Sequence, residues 1–313
     1  MIPIKITKQT TNTIYLKTPA KINLILKVGN NRPDGYHNIW SLVQCINFFD
    51  KIKITKTKSG CIIKTKNKQL PTDKSNLMYK AFDLLKKKYK FEGGIYIHIN
   101  KYIPIGAGLG GGSSNAAGIL FALNKLYNLK IPLPTLQKLG SQIGSDVPLF
   151  LSKSTTNIIE GRGEKVTPLK NSSKLNLLLI TFPFHISTKE AYQLLDKFRT
   201  SVRAYERTGF PNDFEQLLFG SSRSPITSRS SSSTEHSEVR TERQREVYRD
   251  AGQAVTYCIN FLKSENFPSA HLTGSGPTLY TIVDKKPTCV QFIKLKKTIN
   301  RLYKGKIIKT QTN

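Results

Sequence analysis

The segment Ile103–Ala117 is the most restrictive feature of this sequence. It reads IPIGAGLGGGSSNAA and lies between a predicted strand that ends at Ile99 and an apolar helix predicted from Ser113 to Leu126. Glycines let a backbone approach a phosphate closely, and the first turn of a helix presents unpaired N–H groups and the positive end of its dipole. A flexible linker is not expected between a strand and an alanine-rich helix. The segment therefore predicts a phosphate-binding loop.

Two common phosphate loops are excluded by the surrounding residues. Gly106, Gly108 and Gly111 match GxGxxG, but a dinucleotide fold also expects an acidic residue about 20 positions later. No Asp or Glu lies between Glu92 and Asp146. A Walker A loop requires Gly-Lys-Ser/Thr, which does not follow. The loop is therefore of another type.

The hydrophobic pattern indicates a mixed α+β chain. Apolar residues alternate with wetter ones from Lys21 to Val28, which predicts a strand whose wetter face carries Lys21 and Asn23. Similar patterns predict strands at Lys51–Thr57, Cys61–Lys66, Ile95–Ile99 and Asn176–Ile180, and helices at Asn76–Tyr89, Ser113–Leu126 and Pro134–Ile143. The 313 residues suffice for two domains, which we predict at 1–160 and 161–313.

One segment differs in composition from the rest. No lysine lies between Lys197 and Lys263, yet nine of the 12 arginines do, and residues 221–233 contain eight serines. Such a shift is typical of a disordered insertion. We predict a disordered Ser/Arg-rich insertion at 220–247.

The charge is strongly positive, with 49 Lys+Arg against 20 Asp+Glu and a formal net charge of +29. The lysines fall in dispersed runs such as Lys51–Lys58, where they alternate with β-formers and are not interleaved with stacking aromatics. We attribute the excess to compositional drift, as in an A/T-rich genome, and expect no nucleic-acid partner. A small anionic substrate would still be attracted by this field.

No run approaches the roughly 18 apolar residues that a membrane span needs, and the opening Met1–Lys17 has no apolar signal core. We expect a soluble protein without a membrane partner, from a bacterial cytoplasm or from a plastid stroma if a plastid genome encodes it. Cys45, Cys61, Cys258 and Cys289 form no CxxC pair and are expected to be free thiols.

Several motifs, taken in order, resemble a known kinase family. The loop Pro104–Ala117 resembles that of the galactokinase, homoserine kinase, mevalonate kinase and phosphomevalonate kinase superfamily. Within it, further motifs resemble the 4-diphosphocytidyl-2-C-methyl-D-erythritol kinase family of the non-mevalonate isoprenoid pathway: Pro19–Leu24, Arg32–His37, Gly144–Pro148, Ile186–Tyr192, Asn212–Glu215 and Thr273–Pro277. The loop identifies only the superfamily, whereas PAKINL together with DGYH identifies the family.

This resemblance implies a fold, a reaction and two catalytic residues. The implied fold is an α+β kinase with a ribosomal protein S5-like N-terminal domain that binds ATP, a ferredoxin-like C-terminal substrate domain, and an active site in the cleft between them. The implied reaction is ATP-dependent phosphorylation of the 2-hydroxyl of 4-diphosphocytidyl-2-C-methyl-D-erythritol. Asp146 would accept the hydroxyl proton, and Lys21 would polarise the hydroxyl and keep Asp146 ionised. The residues alone favour a turn or cap role for Asp146 and a solvated charge for Lys21.

The resemblance also implies the ligand contacts. ATP would be bound by loop 104–114, through Pro104, Gly106, Gly108, Leu109, Gly110, Gly111, Gly112, Ser113 and Ser114. The cytidine substrate would be bound by Asn23, Tyr36, His37, Thr188, Tyr192, Gly274 and Ser275. In this arrangement Tyr36 and Tyr192 stack on the base from opposite sides and His37 hydrogen-bonds its edge. The residues alone favour a packing aromatic after a turn for Tyr36.

Magnesium is expected with ATP because it bridges phosphate oxygens in phosphoryl transfer. The sequence contains no dedicated metal cage, and its ligands are not assigned; Ser113 or Ser114 could reach the ion or the phosphates. Two alternatives stay open: another small-alcohol kinase of the superfamily, which DGYH argues against, and a degenerate kinase acting as a basic RNA-binding protein.

Overall fold

The computed structural model describes residues 3–170, 174–183, 188–201, 212–215, 254–262, 264, 267, 270–283, 296–297, 299–300 and 305–312. The chain divides into two compact units. Unit 1 comprises Met1–Ile105, Leu109–Lys174 and Gln311–Asn313, and unit 2 comprises Gly106–Gly108 and Leu175–Thr310. The insertion predicted at 220–247 and the fourth cysteine, Cys289, lie outside the described residues.

Unit 1 is built from an antiparallel-rich sheet with helices packed on one face. Its elements are β1 (Lys5–Gln9), β2 (Thr13–Asn31), β3 (His37–Thr57), β4 (Cys61–Thr65), α1 (Leu77–Tyr89), β5 (Gly94–Asn100), α2 (Gly111–Leu126), α3 (Leu133–Ile143), α4 (Val147–Phe150), β6 (Thr156–Gly161) and β7 (Lys165–Pro168). Every strand and helix predicted above in this part of the chain is confirmed within a few residues, although β2 and β3 extend well beyond the predicted segments.

The strands pair in the order β1-β2-β3-β5-β4, while β6 pairs with the first half of β3 and β7 with β6. β4 and β5 are parallel, because α1 carries the chain across between them. The inward faces of the strands bury residues such as Ile14 and Ile97 against Leu85 of α1 and Leu120 of α2. This core holds α2 and the loop before it against the sheet.

The long β2–β3 pair contains an irregularity just before Lys21. The register of the two strands shifts between Pro19 and Ala20. The shift separates Asp50, which pairs with Thr18, from the part of β2 that begins with Lys21. A bulge bends a strand and redirects its side chains. Asp50 and Lys21 therefore lie on opposite sides of the shift and contact different parts of the structure.

Unit 2 contains a four-stranded sheet in the order β11-β8-β10-β9. Its described elements are β8 (Asn176–Thr181), α5 (Thr188–Ser201), a 3₁₀ turn (Asp213–Glu215), β9 (Ala270–Leu272), β10 (Leu279–Ile282) and β11 (Lys306–Gln311). Strand β10 runs antiparallel to both β8 and β9. The strand predicted at Asn176–Ile180 is thus confirmed as β8.

On the outer face of the unit 1 sheet, lysines of two strands lie over one aromatic ring. Lys8 and Lys53 lie over the ring of Tyr15, with each Nζ about 6 Å from the centroid, at 6.0 and 5.7 Å. The lysine runs carry no interleaved aromatics along the sequence, but the fold brings lysines over an aromatic ring on this face. Pairing of Tyr15 with both residues across β1 and β3 brings together positions that are distant in sequence.

Cys45, Cys61 and Cys258 are free thiols, as predicted. Among the described helices, none combines the length and the apolar character needed to cross a membrane.

Candidate active site

The glycine loop leads directly into the first turn of α2. The helix begins at Gly111, two residues earlier than predicted, with Gly110 as its N-cap and no side chain capping the first turn. Gly106, Gly108 and Gly110 all have positive φ, at 70°, 77° and 68°. Successive backbone N–H groups form a concave anion-binding site, called a nest, where left-handed residues alternate with right-handed ones. The loop and the uncapped helix start can therefore present N–H groups to phosphate oxygens.

The two serines after the glycines face different surroundings. Ser114 is fully buried, and its Oγ has no hydrogen-bond partner among the described residues. Ser113 is half-buried, and its Oγ lies 3.8 Å from where a Cβ would stand on Gly144, two residues before Asp146. Of the two, Ser113 is therefore directed toward the turn that carries Asp146.

Lys21 lies beneath the glycine loop and not on a wet face. Its backbone N–H donates to the carbonyl of Leu109 at 3.0 Å, and the residue is only 6% exposed. A Cβ on Gly110 would lie 3.0 Å from both Lys21 Cγ and Phe150 Cζ. The prediction of a wetter face is wrong here because the loop and Phe150 cover this part of β2. Only glycine fits at Gly110 without displacing Lys21.

A short chain of hydrogen bonds holds the Lys21 ammonium. Lys21 Nζ donates to Asn23 Oδ1 at 2.5 Å, and Asn23 Nδ2 donates to Ser41 Oγ at 2.8 Å. Ser41 Oγ in turn donates to the carbonyl of Ile25 at 2.5 Å. Asn23 is 3% exposed and both ends of its amide are engaged in this chain. Asn23 thus positions Lys21, while its expected contact with substrate stays a prediction.

Asp146 is the N-cap residue of α4 and stands close to this ammonium. Its Oδ2 lies 4.0 Å from Lys21 Nζ, and its side chain is 31% exposed. Its carboxylate makes no capping hydrogen bond to α4. The two predicted catalytic residues are therefore brought together, with the carboxylate still reachable from solvent.

Burial dominates the titration of Lys21. It lowers the pKa of the ammonium from its ordinary value, and the attraction of Asp146 opposes this shift only in part. Cys45, paired with Lys21 across the sheet, is fully buried, which raises the pKa of its thiol to about 12. Cys45 is therefore a neutral neighbour.

A second lysine–aspartate pair, Asp50 of β3 and Lys101, holds the segment that leads into the glycine loop. Asp50 accepts hydrogen bonds from Lys101 Nζ at 2.5 Å, from the backbone N–H groups of Tyr102 and Ile103 at 2.7 and 2.9 Å, and from Asn115 Nδ2 at 2.9 Å. The side chains of Asp50 and Lys101 are 0% and 2% exposed. These contacts tie the residues before the loop and the first turns of α2 to β3.

The loop between β2 and β3 presents Tyr36. Asp34 Oδ1 accepts a hydrogen bond from the Tyr36 backbone N–H at 3.2 Å, and the Arg32 guanidinium holds the same carboxylate. Hydrogen bonding by Arg32 lowers the pKa of Asp34. Tyr36 is 49% exposed and carries the Arg162 guanidinium over its ring, whereas His37 is buried at the start of β3.

The predicted residues of unit 2 form their own cluster. Ser275 Oγ and Thr188 Oγ1 are 3.2 Å apart, so these two predicted positions meet. Asn212 Nδ2 donates to the carbonyl of Gly274 at 3.0 Å, which holds the glycine turn. The ring of Tyr192 packs edge-on against Phe214, with centroids 5.0 Å apart. The expected stacking of Tyr192 opposite Tyr36 stays a prediction.

Sequence reasoning missed Ser41, Arg162 and the pair Asp50–Lys101. Ser41 is an ordinary strand serine without any local signal. Arg162 lies between two glycines, in Glu160–Glu164, which marks a tight turn but not what the turn faces. Asp50 and Lys101 are distant in sequence, and only the β3–β5 pairing brings their segments together.

Comparisons with known proteins agree with these features. Residues 76–154 match the family model described as GHMP kinases N terminal domain. A protein of Lachnospira eligens named 4-diphosphocytidyl-2-C-methyl-D-erythritol kinase is 34% identical over 299 residues, covering 93% of this chain and 97% of that protein. A protein of the same name from Clostridium botulinum is 42% identical over 181 residues, covering 58% of this chain and 64% of that protein.

Among solved structures, a crystal structure of 4-(cytidine 5'-diphospho)-2C-methyl-D-erythritol kinase superposes with a TM-score of 0.67. It is 22% identical and covers 96% of this chain and 99% of that chain. At this identity the likeness concerns the fold, and it confirms the predicted α+β kinase fold.

Proposed function

Because the chain belongs to the 4-diphosphocytidyl-2-C-methyl-D-erythritol kinase family of GHMP kinases, we propose that Lys21 and Asp146 carry out its phosphoryl transfer. The reaction moves the γ-phosphate of ATP to the 2-hydroxyl of 4-diphosphocytidyl-2-C-methyl-D-erythritol, a step of isoprenoid precursor synthesis.

The observation that carries this proposal is the Lys21–Asp146 pair beside the glycine loop. The ammonium and the carboxylate are 4.0 Å apart, and Lys21 also contacts the loop through Leu109. A hydroxyl that binds at the exposed side of Asp146 lies within reach of the ammonium. The pair therefore places a proton acceptor and a positive charge around one oxygen atom.

Each of the two residues has a distinct task. Asp146 accepts the proton of the substrate hydroxyl as the oxygen attacks the γ-phosphorus. Lys21 holds its positive charge at the attacking oxygen and near the transferred phosphoryl group, where negative charge accumulates. Asn23 and Ser41 fix the ammonium in place, so that little reorganisation is needed during the reaction.

ATP is held by backbone groups. The N–H groups of the glycine loop and of the first turn of α2 bind the phosphate oxygens, aided by the positive end of the helix dipole. The Asp50 network fixes the segment before the loop and the early turns of α2. A fixed loop keeps the γ-phosphate in line with the hydroxyl.

We expect magnesium to bind this site together with the nucleotide. Among the described residues, no group of three His, Cys, Asp or Glu side chains is arranged to hold a metal ion. The phosphate oxygens would be its main ligands, with Ser113 and Asp146 as the nearby protein oxygens. The bound ion supplies neutralisation of the β- and γ-phosphate charge.

For the second substrate we propose Tyr36 as the stacking surface for cytosine and His37 as the residue that reads the base edge. Exposure of Tyr36 beside the hydrogen-bonded Asp34 turn supports this role. Thr188, Tyr192, Gly274 and Ser275 are proposed as further substrate contacts, supported by the meeting of Thr188 and Ser275 within unit 2.

The test is ADP release by the purified full chain with ATP, magnesium and 4-diphosphocytidyl-2-C-methyl-D-erythritol, with mevalonate and homoserine as control acceptors. We expect turnover with the cytidine substrate alone. Turnover with mevalonate or homoserine would instead assign a sister kinase. A folded protein that releases no ADP with any acceptor would refute the proposal and favour the alternative of a degenerate kinase.

A further inference from the structure

The turn between β6 and β7 places Arg162 over Tyr36. The guanidinium carbon of Arg162 lies 5.2 Å from the centroid of the Tyr36 ring. A cation within about 6 Å of an aromatic face is attracted by the negative charge density of that face. One side of the ring is thus covered by a positive group.

Arg162 is held in this position by its own turn. Its backbone N–H donates to Glu164 Oε2 at 2.8 Å, and its Nη2 donates to the carbonyl of Ser141 at 3.3 Å. Gly161 and Gly163 have positive φ, at 71° and 112°, which side-chain-bearing residues adopt with strain. The turn therefore sets the direction in which Arg162 leaves the backbone.

The same turn lies close to the Asp146 carboxylate, which we propose to be catalytic. A Cβ on Gly163 would lie 3.6 Å from Asp146 Oδ1 and 3.4 Å from Ser145 Cβ. The turn thus links two parts of the site: Arg162 lies over the Tyr36 ring, and Gly163 lies close to Asp146. A substrate that touches both Tyr36 and Asp146 would follow this path.

We propose that Arg162 is a specificity-determining positioning residue that holds the Tyr36 ring for stacking by the pyrimidine end of the substrate. This inference rests on the proposed function, since it assumes a nucleotide-linked alcohol as acceptor. With the ring already held on one side, less side-chain freedom is lost when the base stacks on its exposed surface. The effect is confined to the nucleotide end of the acceptor and leaves ATP binding unchanged.

The experiment compares Arg162→Met, which keeps the side-chain stem, with Arg162→Lys, which keeps the charge. Lys165→Met is the matched control, because Lys165 is an exposed cation on the adjacent strand β7. We expect Arg162→Met to raise the KM for the cytidine substrate about 3- to 30-fold. Arg162→Lys recovers part of the loss. The KM for ATP and kcat at saturation stay within about twofold of the parent.

Calorimetric titration with cytidine diphosphate, a probe that requires no turnover, separates this inference from the proposed function. In a double-mutant cycle, Arg162→Met should weaken binding of cytidine diphosphate when Tyr36 is present and should have no effect when Tyr36 is replaced by Ala. This result supports the inference. The inference is overturned if Arg162→Met binds cytidine diphosphate as tightly as the parent does. It is also overturned if Lys165→Met loses as much affinity as Arg162→Met. A parent that turns over the cytidine substrate normally while Arg162→Met is unaffected refutes the inference and leaves the proposed function intact.

Discussion

Among the described residues of unit 1, two buried lysines each pair with an aspartate, and the two aspartates differ in how fully they are hydrogen-bonded. Asp50 accepts four hydrogen bonds and is closed to solvent together with Lys101. Asp146 has the Lys21 ammonium at 4.0 Å and a side chain that is 31% exposed. The first carboxylate has no capacity left for a substrate, whereas the second has an open side.

This difference separates a structural ion pair from the pair that we propose to be catalytic. In both pairs burial lowers the pKa of the lysine, so titration alone does not distinguish them. What distinguishes them is the number of donors around the aspartate and its access to solvent. A closed pair holds the glycine loop, and an open pair can act on a hydroxyl.

The largest expected effect comes from Asp146→Asn. Loss of the proton acceptor should lower kcat by about 10²- to 10⁴-fold, because the amide cannot take the hydroxyl proton. The unfolding midpoint should change little, since the carboxylate makes no capping hydrogen bond to α4 and is partly exposed. Steady-state kinetics and urea unfolding measure both. Asp83→Asn, which changes an exposed carboxylate on α1, is the control; kcat close to the parent in Asp146→Asn would contradict the assignment.

Asp50→Asn should produce the opposite pattern. It leaves the Lys101 ammonium buried without its counter-charge, and breaking one side of a buried pair costs about 3 to 5 kcal/mol. Urea unfolding should therefore show a clearly lower free energy of unfolding than in the parent. The double change with Lys101→Met should recover part of this loss. Stability equal to that of the parent would show that the pair contributes nothing to the fold.

The pH dependence of kcat sharpens the comparison further. Burial lowers the pKa of the Lys21 ammonium below its ordinary value of 10.5, so the ammonium loses its proton at a lower pH than a free lysine does. The neutral amine carries no positive charge, so kcat should fall about tenfold per pH unit once the pH exceeds this lowered pKa. Rates at saturating substrate between pH 7 and 10.5, with circular dichroism to monitor folding, provide the test. A flat profile up to pH 10.5 in folded protein would rule out the charged role of Lys21.

The smallest expected effect is that of Ser41→Ala. It removes the acceptor of Asn23 Nδ2 and loosens the amide that holds the Lys21 ammonium. We expect kcat to fall about 3- to 10-fold, in line with a net hydrogen-bond energy near 1 kcal/mol, with little change in the KM for ATP. Thr55→Val removes a comparable strand hydrogen bond remote from the site and is the control. An equal effect in both variants would indicate general loosening of β3.

Much of the fold and of the candidate site could be predicted from sequence because the signals are local. Alternation of apolar residues predicted the strands, and helical spacing predicted α1, α2 and α3. The glycine loop was predicted from residue types whose backbone freedom is itself the signal. Lys21 and Asp146 were assigned by resemblance, and the structure brings them together.

The rest depends on partners that lie far apart along the chain. The wetter face predicted for Lys21 was wrong because Gly110 and Phe150 cover it, and neither position is signalled by the pattern of β2. Ser41 and Arg162 gained their positions only through pairing of β3 with β2 and β6. No local pattern reports such contacts.

The sequence by itself determined several strands and the helices α1, α2 and α3 of unit 1, the glycine loop between strand and helix, and the kinase family. It did so because periodicity, backbone freedom and motif order are properties of neighbouring residues. Only the tertiary structure decided which aspartate is closed and which is open. Burial and hydrogen-bond satisfaction are set by the chain segments that pack around a side chain, and those segments come from distant parts of the sequence.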